Sequence, residues 1–361
     1  MKAIRFGNFA KVLYIALILF APLMTQAQSA RPDDLPDSAQ LTRMIADLDA
    51  GRADDQRLTM VRSVGFKFLA AGRYSEAWTA FSAVLKYAAR DQEALYGSGL
   101  ALFNLKRVTE AEGMARSAVS LARAKSTETS AQSSESWRRR ESDSLVLLAV
   151  VLAVKSDNAG AIDALRRASD LAPDNFDALF ALGRALYGAA DLSAAAIAFR
   201  KAIVLKPEDS QARFFLATTL EASGNNAEAR ETYRELIRLQ SGNAQGHLGL
   251  GVLLVKLDSK SEEGLSELLE AVKLKDDLYE ARIVLGRTLI KSGRHAEALE
   301  HLTRAAQLAP DNPEPHYQLA IAYRRLGRSE KAEREADIVK QINSRRRQKS
   351  EAPGPRLSSK N

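Results

Sequence analysis

A short phrase that closes one segment and opens the next recurs along this chain at a fixed interval. It is Leu-Ala-Pro-Asp-Asn at 171–175 and at 308–312, and Leu-Lys-Pro-Glu-Asp at 205–209. Pro173 and Pro207 are 34 residues apart, and the third proline follows three intervals later with one extra residue. Recurrence at this period indicates a repeat architecture, in which each unit buries its apolar surface only against its neighbours.

Small and apolar residues keep the same register between the prolines. In the clearest unit, Leu182-Gly183 is followed by Ala195, Phe199 and Ala202. Eight copies of the pattern begin near the following residues: Leu58, Gln92, Ser142, Phe176, Ser210, Ala244, Tyr279 and Pro313. The pattern resembles the tetratricopeptide repeat, a helix–turn–helix of 34 residues with small residues at fixed positions and a closing proline.

This resemblance covers Leu58–Ile342, about four-fifths of the chain. It implies an all-α fold, a right-handed superhelical solenoid of about eight helical hairpins with a concave groove. The composition agrees with helix packing, because aromatic residues make up only 6% of the chain and Ala and Leu must supply most of the core.

The glycines and prolines of the pattern have mechanical explanations. Three glycines fall within first helices, where Gly costs about 1 kcal/mol relative to Ala, so that the second helix can approach: Gly183, Gly251 and Gly286. We expect alanines of the second helix to face them: Ala195, Ala229 and Ala298. Other glycines end first helices, where a left-handed residue is favoured: Gly72, Gly224, Gly293 and Gly327. Acidic residues after the prolines are expected to cap the next helix: Asp174, Asp209 and Asp311.

The N-terminus is typical of a secretory signal. Three basic residues precede an apolar run of 12 residues, Val12–Leu23, and Thr25–Ala27 supplies small residues for cleavage. The run is well short of the ~20 residues that span a bilayer comfortably. We therefore expect a signal peptide at 1–27 and export, most simply to a bacterial periplasm. The alternative is a short uncleaved anchor that holds the protein in the inner membrane, facing the periplasm.

The net charge of +7 comes from the termini. Residues 1–27 contribute +3 and residues 344–361 contribute +5, which leaves –1 on residues 28–343. A nearly neutral body gives no general attraction for nucleic acid, so we expect no nucleic-acid partner. The terminal basic segments are candidates for contact with a membrane surface. The chain has no cysteine and therefore no disulfide framework.

The remaining segments divide the chain as follows. Residues 28–57 are a linker followed by a capping helix, expected to start at Asp37 or Ser38 and to continue through Asp49. Repeats one and two occupy 58–123, and repeats three to eight occupy 142–343 with a final capping helix. The Ser-rich insertion at 124–141 is either a loop or a helical extension, and its composition favours the loop. Residues 344–361 are expected to be a disordered basic tail.

No pattern indicates catalysis, and the sequence predicts a protein without enzymatic activity. The four histidines lack a metal-binding spacing, and Gly246–Gly251 lacks the preceding strand of a phosphate-binding loop. Tyr96–Gly99 lacks the spacing of a nucleophile elbow. We expect neither a metal nor a cofactor.

The resemblance instead places function in the groove, which the exposed faces of first helices line. Transferring those positions gives these partner-binding candidates: Tyr96, Phe180, Arg184, Tyr187, Phe214, Thr218, Arg287, Tyr317 and Arg324. Family members that grip the C-terminal carboxylate of heat-shock chaperones use Lys and Asn, which are absent from these positions. Aromatic and Arg side chains are good interface anchors. Alternatively, Phe180 and Phe214 pack against each other between neighbouring helices and bind nothing.

The sequence thus predicts a scaffold or adaptor that binds a peptide or helix of partner proteins during envelope, secretion or polysaccharide assembly. The runner-up is an inner-membrane-tethered assembly factor. Trp137–Arg140, at the end of the insertion, is either a contact for an anionic partner or a solvated turn. The partner's identity and the oligomeric state do not follow from the sequence.

Overall fold

The computed structural model describes residues 36–351, so the predicted signal at 1–27 and the tail beyond 351 lie outside the described residues. Seventeen α-helices and no strand are found in this range. The predicted all-α helical-repeat fold is therefore confirmed. The chain forms two compact units divided after Pro207, which we call unit 1 and unit 2.

Unit 1 contains a capping helix and four helical hairpins. A π-helical turn, Leu48–Arg52, follows the capping helix. The helices are α1 Ser38–Asp47, α2 Asp55–Ala70, α3 Tyr74–Tyr87, α4 Gln92–Asn104, α5 Val108–Glu128, α6 Ala131–Val154, α7 Asn158–Leu171, α8 Phe176–Gly188 and α9 Leu192–Leu205.

Unit 2 contains four hairpins of similar length, apart from a longer last helix. The helices are α10 Ser210–Ala222, α11 Asn226–Leu239, α12 Ala244–Leu257, α13 Glu262–Leu274, α14 Tyr279–Lys291, α15 His295–Leu308, α16 Pro313–Arg325 and α17 Ser329–Glu351. Four of the predicted repeat starts in this unit are the first residues of α10, α12, α14 and α16.

Side-chain caps fix where the first helices begin. Asp209 accepts a hydrogen bond from the amide of Ala212 at 2.7 Å, as predicted. After the other two prolines, however, the caps are Asn175 and Asn312. The expectation for Asp174 and Asp311 is therefore wrong. The cap is the second residue after the proline in each case, because that residue immediately precedes the helix.

Mid-helix glycines allow the two helices of a hairpin to pack closely, but their neighbours differ from those expected. A Cβ built on Gly183 would lie 2.7 Å from the ring of Phe199, and one on Gly286 would lie 2.5 Å from Leu302. The residue that fills the space is a large apolar side chain one turn after the predicted alanine. The glycine thus provides the space in which that side chain is buried.

In seven of the eight hairpins the turn contains one left-handed residue, whereas the turn at 258–261 between α12 and α13 has none. The four predicted glycines have φ between 70° and 82°. In the turns after α4, α6 and α8 the equivalent residues are Lys106, Ser156 and Ala190, with φ of 65°, 67° and 63°. A left-handed conformation costs a residue with a Cβ about 1–2 kcal/mol, so these three turns are strained.

Replacing Ala190 by glycine is expected to stabilise unit 1 by about 0.5–1 kcal/mol, because relief of the left-handed strain exceeds the entropic cost of glycine. Urea unfolding followed by circular dichroism measures the change. Ala189, with φ of –83°, is the matched control, and Ala189→Gly should not stabilise. Equal effects of the two substitutions would contradict this explanation.

The expectation of a loop at 124–141 is wrong. Helices α5 and α6 are 21 and 24 residues long, and only Thr129 and Ser130 separate them. The segment contains neither Gly nor Pro, and Ala118 and Ala122 of α5 are fully buried. The Ser-rich stretch therefore continues both helices as a long antiparallel pair, since nothing in it breaks a helix.

The N-terminal end of the described range agrees with the prediction, but the C-terminal end does not. Helix α1 begins at Ser38 with a capping box between Asp37 and Gln40, and the π-helical turn keeps the backbone helical through Asp49, before Ala50 and Gly51 depart from helical geometry. Helix α17 continues to Glu351, through the arginines that were assigned to a disordered tail. Arg, Gln and Lys are good helix formers, and the first proline comes only at 353, so the helix has no reason to stop at Ile342.

One core position distinguishes the two units. The fourth residue of each predicted repeat is a buried apolar side chain in unit 1: Val61, Leu95, Leu145 and Leu179. The same position in unit 2 is always cationic or titratable, namely Arg213, His247, Arg282 and His316. His247 Nδ1 lies 2.6 Å from Glu267, and His316 Nδ1 lies 2.7 Å from Glu335. The hairpins that begin with α12 and α16 therefore each hold a His–Glu pair at a position where the hairpins of unit 1 have an apolar side chain.

Candidate protein-binding surfaces

In each unit the first helices of consecutive hairpins lie side by side and contact one another. They are α2, α4, α6 and α8 in unit 1, and α10, α12, α14 and α16 in unit 2. We call the surface that they share the first-helix face of that unit. The predicted binding residues all belong to these helices, so each unit contributes its own candidate surface.

On unit 1, two predicted binding residues are buried. Phe180 and Arg184 are 2% and 5% exposed. The ring of Phe180 stacks on Phe176 at 5.6 Å and meets Phe199 edge-on at 5.9 Å. Arg184 lies 5.8 Å from the Phe180 ring. Phe180 therefore packs within unit 1 against Phe176 and Phe199, and not against Phe214 as the alternative proposed, while Tyr187 remains partly accessible. A role for Phe180 or Arg184 in binding stays a prediction.

Tyr96 is half-buried and lies in an acidic environment. Burial raises the pKa of its hydroxyl, and the charges of Asp143 and Asp177 raise it further. These residues come from α4, α6 and α8, so three neighbouring first helices contribute to one patch. Burial also raises the pKa of Asp143, although Arg139 and a hydrogen bond from Asn175 act in the opposite direction. The patch combines a neutral phenol with carboxylates.

The Trp137–Arg140 segment lies on α6, so the alternative of a solvated turn is wrong, while contact with an anionic partner stays a prediction. Arg140 pairs with Glu93 of α4 at 2.8 Å, and its guanidinium lies 5.1 Å from the Trp137 ring. Arg139 pairs with Asp174 before α8 at 3.0 Å. The segment thus links α6 to α4 on one side and to the residue that precedes the cap of α8 on the other.

On unit 2, the first two predicted residues are partly accessible. Phe214 and Thr218 are half-buried on α10. The Thr218 hydroxyl donates to the carbonyl of Phe214 at 2.9 Å and lies 3.2 Å from the Tyr233 hydroxyl. Thr218 is therefore held by its own hairpin, while part of the Phe214 ring remains on the surface.

The other three predicted residues of unit 2 are exposed. Arg287 lies on α14, and Tyr317 and Arg324 lie on α16. Tyr317 is 55% exposed, which is unusual for a side chain of this size. Lys291 and Arg325 are exposed on the same two helices. Arg325 was missed by the sequence reasoning, because it follows Arg324 in the last turn and the register selected only one of the two.

The described residues contain no group of three or more His, Cys, Asp or Glu arranged to hold a metal ion. His301 is half-buried on α15. Burial lowers its pKa, and Arg282 Nη1 lies 3.4 Å from its Nδ1. Among the helices of residues 36–351, none has the length and hydropathy needed to cross a membrane.

Solved structures resemble the fold at low sequence identity. The C-terminal part of a repeat-containing protein from Cytophaga hutchinsonii matches with a TM-score of 0.56 and 14% identity, over 72% of this chain and 99% of that one. PilF of Pseudomonas aeruginosa matches with a TM-score of 0.49 and 15% identity, over 57% and 94%. YrrB, described as having an unusual peptide-binding site, matches with a TM-score of 0.43 and 22% identity, over 51% and 94%. The first of these supports the fold alone.

No curated protein matches the sequence at a significant level. Two family models, both described as tetratricopeptide repeat, do match it. One covers 289–346, and the other covers 67–127, 146–213 and 214–279. Together they span more than half of the chain and follow the repeats seen in the structure, so this protein belongs to the tetratricopeptide repeat family.

Proposed function

We propose that this protein is an exported, non-catalytic scaffold that binds a peptide or helix of a partner protein on its first-helix faces. The observation that carries the proposal is the row of accessible aromatic and cationic side chains on helices whose other faces form the core. Aromatic and Arg side chains contribute much of the binding energy at protein interfaces. Members of this family are generally scaffolds for protein binding, which supports the same conclusion.

Export is supported by the signal-like residues 1–27 and by the absence of cysteine. We propose the bacterial periplasm as the location and envelope, secretion or polysaccharide assembly as the setting. The alternative, an uncleaved anchor in the inner membrane, is tested by producing the full chain with a C-terminal tag in a bacterium. N-terminal sequencing of the purified protein distinguishes the two. A first residue of Gln28 would exclude the anchor, and an intact N-terminus in the membrane fraction would establish it.

Partner binding is tested by chemical cross-linking in envelope extracts followed by capture of the tagged protein. The test variant is Tyr187→Ala/Tyr317→Ala, which removes one accessible ring from the first-helix face of each unit. The matched control is Ile197→Ala/Val204→Ala, because both residues are exposed, at 54% and 77%, on a second helix. We expect a defined protein partner to be lost from the first variant and retained by the control.

Circular dichroism must show the same helical content for all forms. A partner that is retained by the tyrosine variant, or lost equally from the control, would contradict binding on the first-helix faces. A Phe180→Ala variant is unsuitable as the primary test, since truncating a buried Phe costs about 3–5 kcal/mol and would disturb the fold itself.

A further inference from the structure

The first-helix face of unit 2 carries a group of exposed cations, which we call the cationic strip: Arg287, Lys291, Arg324 and Arg325. The first two lie one turn apart on α14, and the other two lie in the last turn of α16. Helices α14 and α16 contact each other. Since packed helices lie about 8–10 Å apart, the strip brings four positive charges onto one small surface.

The four cations of the strip lack counter-charges, whereas several arginines on the remaining surface of unit 2 are paired. Arg294 pairs with Glu297 at 2.6 Å, Arg304 with Asp276 at 2.7 Å, and Arg234 with Glu263 at 2.7 Å. None of the four strip residues forms an ion pair with any carboxylate in residues 36–351. The like charges are therefore left to repel one another, and an acidic ligand would relieve that repulsion.

The helix dipole explains part of this arrangement. Cations are favoured in the last turn of a helix, where Lys291, Arg324 and Arg325 lie. The dipole does not account for Arg287, which lies a full turn earlier, or for the exposed ring of Tyr317. Tyr317 and Arg324 are seven residues apart on α16 and so share one helical face. The strip therefore combines charge with an accessible aromatic ring, as an interface does.

We propose that the cationic strip and Tyr317 bind an acidic peptide segment of the partner. The inference rests on the proposed function and names the chemistry of its ligand. An extended peptide advances about 3.3 Å per residue, so acidic residues three positions apart match the spacing of two packed helices. Tyr317 lies about 10 Å from Arg324 along α16, so an apolar residue about three positions beyond one of the acids would reach its ring. The expected motif is thus two or more Asp or Glu residues, three apart, with an apolar side chain about three positions further along.

Charge on the rest of the surface favours a peptide over nucleic acid. Glu280 and Glu314 lie in the first turns of α14 and α16, the same helices that carry the strip. The net charge of residues 28–343 is –1. A polyphosphate extending beyond the strip would meet negative charge, whereas a short acidic segment would contact only the cations.

The test is selection of a random 12-residue peptide library displayed on phage against the full chain. A charge-reversed variant, Arg287→Glu/Arg324→Glu, and a control, Lys201→Glu/Arg238→Glu, are selected in parallel. All four substituted residues are exposed, and the two variants change the net charge equally. The best peptide is then labelled, and its affinity for each form is measured by fluorescence anisotropy. Circular dichroism checks folding, and Arg287→Gln/Arg324→Gln replaces the reversal if that variant unfolds.

We expect acidic peptides from the natural chain and the control, and a loss of affinity of about tenfold or more in the charge-reversed variant. Recovered peptides without acidic enrichment, no recovered peptide, or equal affinity of the reversed variant would overturn the proposal. So would a labelled 20-residue oligothymidine that binds through the strip when acidic peptides do not. In any of these cases, capture of the envelope partner that still depends on Tyr187 would support the scaffold function. Only the proposed acidic ligand would then be wrong.

Discussion

Replacing Gly183 by valine is expected to lower the stability of unit 1 by about 1–3 kcal/mol, the cost of overfilling a packed core. Gly183 lies in the middle of α8, and a Cβ at this position would lie 2.7–2.9 Å from three atoms of the Phe199 ring. That ring is fully buried and has little room to move. The measurement is urea unfolding followed by circular dichroism. We expect unit 1 to unfold at a lower urea concentration than it does in the natural chain.

Gly188→Val is the matched control, since Gly188 is the last residue of the same helix and a Cβ there would meet nothing within 4 Å. A second check is the double variant Gly183→Val/Phe199→Ala. Removing the ring makes room for the valine, so the valine should cost less in that background than in the natural chain. Equal costs in both backgrounds would show that the glycine is required for another reason than close approach to Phe199.

Replacing Leu268 by alanine is expected to destabilise unit 2 by about 2–5 kcal/mol, the range for a buried Leu→Ala change. Leu268 of α13 is fully buried, and its Cγ would lie 2.8 Å from a Cβ built on Gly251 of α12. The glycine has no side chain with which to fill the cavity that alanine leaves. Little relaxation is therefore available, and the loss should fall in the upper part of the range.

Leu269 supplies the control for this prediction because it is the next residue of the same helix and is 43% exposed. Leu269→Ala should cost less than about 1 kcal/mol, as surface substitutions do. The measurement is again urea unfolding, with tryptophan fluorescence as an independent probe: Trp78 and Trp137 both lie in unit 1. If tryptophan fluorescence reported the same loss of stability, the substitution would not act on unit 2 alone.

The repeat positions made most of the fold predictable from the sequence. Pro173 and Pro207 gave the period, and the glycines with left-handed backbones gave the turns. The helical course of 124–141 was not predictable in the same way, because a Ser-rich composition weakens helix propensity without forbidding a helix. Packing of α5 along α6 decides the outcome there, and such tertiary packing leaves no local sequence signal.

The repeat register predicted which helices carry the candidate surfaces, but not which of their side chains are exposed. Register assigned Tyr317 and Arg287 to first helices, and both are exposed. It assigned Phe180 and Arg184 by the same rule, yet both are buried. Exposure depends on the size of the neighbouring side chains, and Phe176 and Phe199 close around Phe180 in unit 1. Repeat position therefore determines which helix a residue belongs to, whereas its accessibility depends on which neighbours that particular repeat provides.

The charged and polar pairs in the core of unit 2 have a consequence for how such an array can lengthen or shorten during evolution. His247 and Glu267 lie on the two helices of one hairpin, as do His316 and Glu335. Gain or loss of either hairpin as a whole leaves no polar side chain without its partner, whereas a break between its two helices strands one of them in an apolar environment, which is costly. Duplications and deletions that start and end between hairpins would therefore be tolerated most easily in this half of the chain. Unit 1 has hydrocarbon at the same position, but Glu141 of α6 and Arg167 of α7 form a pair within one hairpin, so the same constraint applies to that hairpin.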